Sequence, residues 1–171
     1  MADTSKQDGI ALLKADHRKV EDLFSKFESA KDASRKKDLA EKICMELTVH
    51  AKIEEEIFYP ACEGAVEEDM LREALVEHDG AKVLIAEIEA GGPDEEFYDA
   101  KVKVLSEMIK HHVKEEEMRV EGMFSQARKA GVDVDELGEK MASAKERLLS
   151  TYESGGLPKP ETTSLGGTSL A

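Results

Sequence analysis

The chain has little cysteine and a shortage of positive charge. Its two cysteines, Cys44 and Cys62, do not form a Cys-x-x-Cys pair. Isolated cysteines of this kind are typical of reduced thiols in a reducing compartment. The chain has 24 Lys and Arg residues against 38 Asp and Glu residues, which gives a formal net charge of −14. Because an acidic surface repels phosphate, we expect neither nucleic acid nor an anionic membrane as a partner.

Long apolar runs are also missing. No segment is long and apolar enough to span a bilayer, and residues 1–10 contain no apolar run of signal-peptide length. We therefore expect a cytoplasmic protein. The alternation typical of half-buried β-strands is absent as well. Apolar residues instead recur with a spacing of about 3.6 along most of the chain, which predicts an all-α fold.

The spacing predicts four long helices and a shorter fifth one. Their expected ranges are 8–29, 34–62 with Ser34 as the N-cap, 67–90, 94–129 and 134–152. Long helices joined by short loops favour an up-down-up-down four-helix bundle, with the fifth helix packed outside it. We assign residues 1–153 to this bundle and its fifth helix. Residues 154–171, which are rich in Gly, Ser, Thr and Pro, are predicted to form a flexible tail.

One pattern of ionisable residues is present twice. In each half of the chain a histidine is followed, 33 or 34 positions later, by His-x-x-x-Glu. A His and a Glu four positions apart share one face of a helix. All six residues fall on the apolar stripes of the four predicted long helices. They are His17, His50 and Glu54 in the first half, and His78, His112 and Glu116 in the second.

Ionisable residues at core positions need a compensating partner. Burying one without a partner costs several kcal/mol, so four histidines on four inner faces favour a bound cation. Imidazole and carboxylate together are a frequent ligand combination for non-heme iron with open coordination positions. The rival interpretation pairs each glutamate with a histidine as a buried salt bridge, but such pairs are weak stabilisers after desolvation. We therefore predict a metal site.

The residues around this repeat form four longer segments. They read LLKADHRKV at 12–20, HAKIEEEIFYP at 50–60, EHD at 77–79 and HHVKEEE at 111–117. Together these segments resemble the bacterial hemerythrin-like proteins with an HHE cation-binding domain, and the resemblance covers about residues 8–130. It implies a four-helix bundle that holds two non-heme iron ions joined by an oxo or hydroxo bridge. Oxygen, peroxide or nitric oxide is the small ligand that the resemblance implies.

The resemblance also assigns roles to the six residues of the repeat. The histidines are implied as terminal iron ligands, and the glutamates as carboxylates that bridge or join the irons. The proposed metal ligands are therefore His17, His50, Glu54, His78, His112 and Glu116. Classical oxygen carriers have a further histidine one turn before the ligand of the third helix, where this chain has Ala74. The neighbouring His111 lies about 100° around the helix from His112, so a surface or supporting role is favoured over that of a ligand.

Three further features lie at or near the repeat. The segment 118–124 is about three residues longer than in related sequences, and its Arg119 either pairs with Glu115 or marks a local bulge. Tyr59 is interpreted as closing the end of the bundle, with a ligand or hydrogen-bond donor as the alternative. Glu21, four residues after His17, is a candidate supporting residue.

The leading functional hypothesis is a di-iron protein that binds or senses oxygen, nitric oxide or peroxide. An oxidoreductase with the same centre, either a ferroxidase or a peroxide-consuming enzyme, is the runner-up, so the sequence leaves open whether the chain is an enzyme. A third hypothesis is an interaction or signalling protein in which the metal serves only structure.

Overall fold

A computed structural model describes residues 6–166, and within this range every regular element is a helix. The helices are α1 Gly9–Ser29, α2 Ala33–Ile53, α3 Tyr59–Cys62, α4 Glu68–Ala90, α5 Tyr98–Glu117, α6 Met123–Lys129 and α7 Val134–Gly155, with a π-helical segment, Glu54–Phe58, between α2 and α3. The long helices α1, α2, α4 and α5 contact one another in a closed ring. The predicted all-α bundle with an extra helix is therefore confirmed.

Three helices, α1, α2 and α7, begin after an aspartate whose carboxylate accepts a backbone N–H of the first turn. Asp8 caps α1, since its carboxylate accepts the Ala11 N–H at 2.8 Å. The cap of α2 was predicted wrongly as Ser34. Asp32 fills that position instead and accepts the Arg35 N–H at 2.9 Å. Either residue type can cap a helix, and the apolar stripe of α2 does not fix its start to within two positions.

The predicted fourth helix, 94–129, is wrong in its length. The structure divides it into α5 and α6, with a non-helical turn at 118–122. Glu121 has a φ of 64°, which an α-helix does not contain. Gly122 approaches the preceding backbone so closely that a Cβ there would lie 2.3 Å from the Met118 carbonyl oxygen. Arg119 is exposed in this turn.

The long second helix changes its hydrogen bonding before Pro60. Proline has no N–H to donate, and its ring crowds the carbonyl oxygen four residues earlier, here that of Glu56. The helix widens into the π-helical segment at this point, and the Tyr59 N–H donates to the Glu54 carbonyl oxygen, five residues back. The continuous α-helix predicted for 34–62 is thus interrupted by a π-helical turn at the point where Glu54 and Tyr59 enter the core.

Two apolar clusters fill the bundle on either side of a polar layer. One includes Leu13, Phe58 and Phe124, and the other includes Val20, Ile43 and Leu105. The buried histidines and glutamates of the repeat lie between them, since His17 is between Leu13 and Val20 on α1. The apolar clusters fix the four helix faces, and these faces bring the ionisable residues together.

The helix α7 packs against α1 and α2. Gly138 allows the close approach, because a Cβ there would lie 2.3 Å from the Gln7 carbonyl oxygen. Residues 156–166 then follow as an irregular segment that lies against the bundle. The division of the chain at 153/154 and the flexibility of the tail stay predictions, and residues 167–171 lie outside the described range. Among residues 6–166, no helix has both the length and the apolar composition needed to cross a membrane.

Candidate metal centre

The six residues predicted from the repeat lie in one buried layer of the bundle. Each has a relative exposure of 7% or less. His17 comes from α1, His50 from α2 and Glu54 from the start of the π-helical segment. His78 comes from α4, and the remaining pair, His112 and Glu116, from α5. Four different helices therefore contribute donors to one volume, as expected for a site inside a four-helix bundle.

The donors form two groups that share Glu54. One group contains His17, His50, Glu54 and Glu116, and the other contains Glu54, His78 and His112, with donor atoms within 4.8 Å of one another in each group. The Glu54 oxygens lie between the groups, with Oε1 2.9 Å from His50 Nε2 and Oε2 3.0 Å from His78 Nε2. Two sets of donors joined by a carboxylate fit two cations.

Glu116 also reaches both groups. Its Oε1 atom lies 2.7 Å from His112 Nε2 and 3.7 Å from His17 Nε2. The Nε2 atoms of His78 and His112 are 3.2 Å apart. Neighbouring nitrogen ligands of one metal ion are separated by about 3 Å, given metal–nitrogen distances of about 2.1 Å. The spacing of these side chains therefore suits coordination of a shared ion.

Several buried polar atoms in the layer make no hydrogen bond of acceptable geometry among residues 6–166, even where an ionisable group lies close, as His50 Nε2 does to Glu54 Oε1 at 2.9 Å. They are His17 Nε2, His50 Nε2, Glu54 Oε1 and both carboxylate oxygens of Glu116. Buried polar atoms without partners are rare in native structures, since each costs about 1–3 kcal/mol. All five belong to residues predicted as ligands. This clustering of unpaired donor atoms is what a metal-binding site requires, so the residues fit the metal that the repeat implies.

Each of the four buried histidines has a carboxylate next to its other ring nitrogen, Nδ1. The Nδ1–carboxylate pairs are His17 with Glu117 at 2.7 Å, His50 with Asp16 at 3.1 Å, His78 with Glu55 at 3.3 Å and His112 with Glu77 at 3.2 Å. A carboxylate that accepts from Nδ1–H leaves the Nε2 lone pair free to face the centre. The carboxylates thus orient all four imidazoles for coordination.

A cationic side chain lies next to three of these outer carboxylates, and an imidazole lies near the fourth. Arg18 bonds Glu117 at 2.6 Å, Lys145 of α7 bonds Asp16, Lys82 bonds Glu55 at 2.8 Å, and His111 lies 3.6 Å from Glu77. The sequence analysis did not predict that four carboxylates would support the histidines, although the repeat contains these carboxylates at fixed positions. An acidic residue directly precedes both His17 and His78, and another directly follows both Glu54 and Glu116.

The protonation states of the layer follow from burial and from these partners. Burial and the positive charge of His50 lower the pKa of His17 to about 3, so its imidazole is neutral. Burial alone would lower the pKa of His50, but the Glu54 and Asp16 carboxylates raise it to about 10. Burial and the charge of Glu54 raise the pKa of Glu116. A cation that binds here would therefore displace protons.

Tyr59 enters the same layer. Its hydroxyl donates to Glu54 Oε2 at 3.0 Å and lies 3.2 Å from His78 Nε2. Burial and the carboxylates of Glu116 and Glu54 raise the pKa of Tyr59, so the hydroxyl keeps its proton. The alternative of a hydrogen-bond donor is therefore favoured over that of a side chain that only closes the bundle.

The remaining features of the sequence lie outside this layer. The side chain of His111 is 65% exposed and pairs with Glu115 at 3.1 Å. Glu21 points to the surface, where its carboxylate pairs with Arg18 at 3.1 Å. Ala74 is buried in the apolar cluster next to the layer, so no donor stands in the place of the classical carrier's extra histidine.

A cavity of about 590 Å³ leads to the layer from one side of the bundle. Its walls include the four buried histidines, apolar side chains of α2 and α4, and the irregular segment after α7. This volume far exceeds the space that a diatomic molecule needs, since a water molecule takes about 30 Å³ in the liquid. Small ligands therefore have room next to the donors.

The fold and this donor set define a four-helix bundle with a site that fits cations. The sequence pattern of the hemerythrin HHE cation-binding domain matches residues 8–124, so the chain belongs to that family. Its fold is similar to that of a hemerythrin HHE cation-binding domain-containing protein from Mycobacterium kansasii, with a TM-score of 0.71 over 88% of this chain and 94% of that one. At 21% identity, this likeness shows the fold alone.

A second relative is much longer than this chain. Over 106 residues, the chain is 29% identical to a DNA nickase from Nostoc sp.. The matched region is 62% of this chain but only 30% of the nickase, so the chain spans less than a third of that protein's length.

Proposed function

We propose that the chain binds two non-heme iron ions and uses their remaining coordination positions to bind or sense oxygen, nitric oxide or peroxide. The observation that carries this proposal is the pair of buried donor groups that share Glu54, one of which holds the atoms without a hydrogen bond. His17 and His50 would hold one ion, and His78 and His112 the other. Glu54 and Glu116 would join them.

Iron bound by these residues would supply reversible redox chemistry and open positions for a small ligand. The protein's own contribution is to orient the imidazoles and to bury the layer. The outer carboxylates hold the imidazoles by Nδ1, and the two apolar clusters enclose the layer. The Tyr59 hydroxyl provides a proton donor that faces the space between the two donor groups.

Neighbouring histidines give a matched test of the site. His112 is buried in the layer, whereas His111 is largely exposed on the same helix. We expect about two irons per chain, with oxygen-sensitive visible absorption, in the wild type and in His111→Ala. His112→Ala should lose most of the iron and the absorption. Wild-type protein that binds no iron, or equal loss in both variants, would contradict the proposal.

The runner-up function is consumption of peroxide or ferrous iron at the same centre. The buried Tyr59 hydroxyl favours it, because a proton donor next to a redox metal assists the reduction of a bound oxygen species. Tyr59→Phe tests this alternative. Turnover of hydrogen peroxide or ferrous iron by the wild type, reduced in Tyr59→Phe at unchanged iron content, would support an enzyme. Absence of turnover in the wild type leaves the binding function.

We propose that this chain has no nucleic-acid partner, in contrast to the Nostoc nickase. Its net charge of −14 opposes contact with phosphate. An electrophoretic mobility experiment with duplex DNA at low salt tests this point, and a shifted band would overturn it.

A further inference from the structure

The segment after α7 is attached to α4 next to the candidate metal centre. Asp79, which follows His78, has a relative exposure of 0%. Its carboxylate accepts the N–H groups of Thr163 at 2.9 Å, Ser164 at 2.5 Å and Leu165 at 2.9 Å. It also accepts the Ser164 hydroxyl at 2.6 Å. A charged side chain of the bundle is therefore satisfied by the C-terminal segment.

A second attachment connects this segment to the centre through Lys82. The Lys82 ammonium donates to the Glu161 carbonyl oxygen at 2.9 Å and to the Glu55 carboxylate at 2.8 Å. The same carboxylate lies 3.3 Å from His78 Nδ1. At the start of the segment, Leu157 packs against both apolar clusters. Residues 157–165, which we call the strap, are thus held at three places.

The strap forms one wall of the cavity that reaches the buried histidines. Residues 157–163 line this cavity opposite side chains of α2 and α4, including Ala51 and Ala81. Without the strap, this side of the cavity would open to solvent. The width of the passage to the centre therefore depends on how firmly the strap is held.

We propose that the strap is a size filter, which admits diatomic molecules and hydrogen peroxide to the centre and excludes bulkier organic reagents. The inference rests on the proposed function for the identity of the ligands, but the physical filter exists whether or not iron is bound. Asp79 is the main anchor, because among residues 6–166 it is the carboxylate that accepts from three consecutive residues of the strap. Releasing this anchor should widen the passage without changing any proposed ligand.

Two full-length variants release the strap from opposite sides. Asp79→Asn keeps the size of the side chain but loses its charge. Ser164→Pro removes an N–H and a hydroxyl from the strap and leaves the bundle unchanged. The control is Asp69→Asn, on the same helix, whose side chain is 90% exposed. Circular dichroism and thermal unfolding establish that each variant keeps the bundle.

The first measurement uses metal-free protein and therefore does not depend on the proposed function. Diethyl pyrocarbonate modifies accessible histidines, and peptide mass spectrometry reports each site. Release of the strap should speed modification of His17, the neutral imidazole on the cavity wall, by about tenfold or more, as expected when a local closed state is lost. The exposed His111 serves as an internal reference and should react at one rate in all proteins. An unchanged rate at His17, with the strap shown by hydrogen exchange to be released, would overturn the filter.

The second measurement uses iron-loaded protein and compares ligands of different size. Azide binding should change by less than about twofold between wild type and variants, whereas iron removal by a bulky aromatic chelator should accelerate about tenfold. Equal acceleration for both reagents would overturn size selection. If the wild type takes up no iron, the proposed function fails, and the histidine modification still decides whether the strap is a filter.

Discussion

At the scale of single residues, the repeat encodes more than the six proposed ligands. The acidic residue before the first histidine of each half bonds the second histidine of that half, as in Asp16 to His50 and Glu77 to His112. The acidic residue after each inner glutamate bonds a histidine of the opposite half. The two halves of the sequence therefore support each other, and neither half forms a complete site alone.

This arrangement predicts that an outer carboxylate controls metal affinity. Glu55→Gln removes the charge that holds His78 by Nδ1, and we expect a loss of about 10–100-fold in iron affinity, as is usual for such partners. Glu56→Gln is the matched control, because this neighbour is exposed and pairs only with Lys52 among the described residues. Competition with a chelator measures both affinities. Equal affinities in the two variants would show that the carboxylate does not support the site.

Burial of both cysteines gives a second prediction. Burial raises the pKa of the Cys44 thiol, and it raises that of Cys62 to about 12. A thiol with this pKa is about 0.01% thiolate at pH 8, against about a quarter for an ordinary cysteine. A thiol-reactive disulfide reagent at pH 8 should therefore release almost no colour from native protein and two equivalents in denaturant. Rapid reaction of either thiol in the native protein would contradict this.

At the scale of elements, the spacing of apolar residues correctly predicted the helices and the faces that they bury. The starts and ends of α1 and α4 agree with the structure to within a residue, because a cap, a clear stripe and Gly91 define them. The same apolar stripes predicted which helix faces carry the proposed metal ligands. The π-helical segment was missed, and the break before α6 was anticipated only as one of two alternatives for Arg119, since both arise from local backbone chemistry at Pro60 and Gly122 that leaves the spacing almost unchanged. The strap was missed because its attachment to Asp79 is a long-range contact of polar atoms.

In the turn before α6, substitutions at two adjacent positions should change the free energy of unfolding in opposite directions. Glu121 has a φ of 64°, which costs a non-glycine residue about 1 kcal/mol, so Glu121→Gly should raise the free energy of unfolding by up to about that amount. Gly122→Ala should lower it by about 1–3 kcal/mol, because the new Cβ would lie 2.3 Å from the Met118 carbonyl oxygen. Urea unfolding measures both. Equal changes of the same sign would show that the turn is not rigid.

At the scale of the whole molecule, the apolar clusters stabilise the fold, whereas the charged layer between them lowers the stability of the metal-free protein. Two apolar clusters stabilise the fold from both sides, and the layer between them concentrates charges that are only partly paired in the metal-free protein. Removing water from two carboxylates that face each other is unfavourable unless a cation joins them. Metal binding and folding should therefore be strongly linked.

Glu116 should have opposite effects on stability without and with metal. Burial and the charge of Glu54 raise its pKa in the folded chain, so its contribution to stability is lost as pH rises above the value of an unfolded glutamate. In metal-free protein at pH 8, Glu116→Gln should therefore raise the free energy of unfolding by about 1–3 kcal/mol. Below about pH 4 the gain should disappear, because Glu116 is then protonated in both states.

Under anaerobic conditions, ferrous iron should make the wild type more stable than Glu116→Gln. The wild type gains the free energy of metal binding, whereas Glu116→Gln lacks one joining carboxylate and gains less. Urea unfolding at pH 8, with a chelator or with iron, measures the four values. Glu107→Gln, an exposed control on the same helix, should stay within about 0.5 kcal/mol of wild type in both conditions. If Glu116→Gln is less stable than wild type even without metal, the buried carboxylate supports the fold itself, and its retention needs no bound cation to explain it.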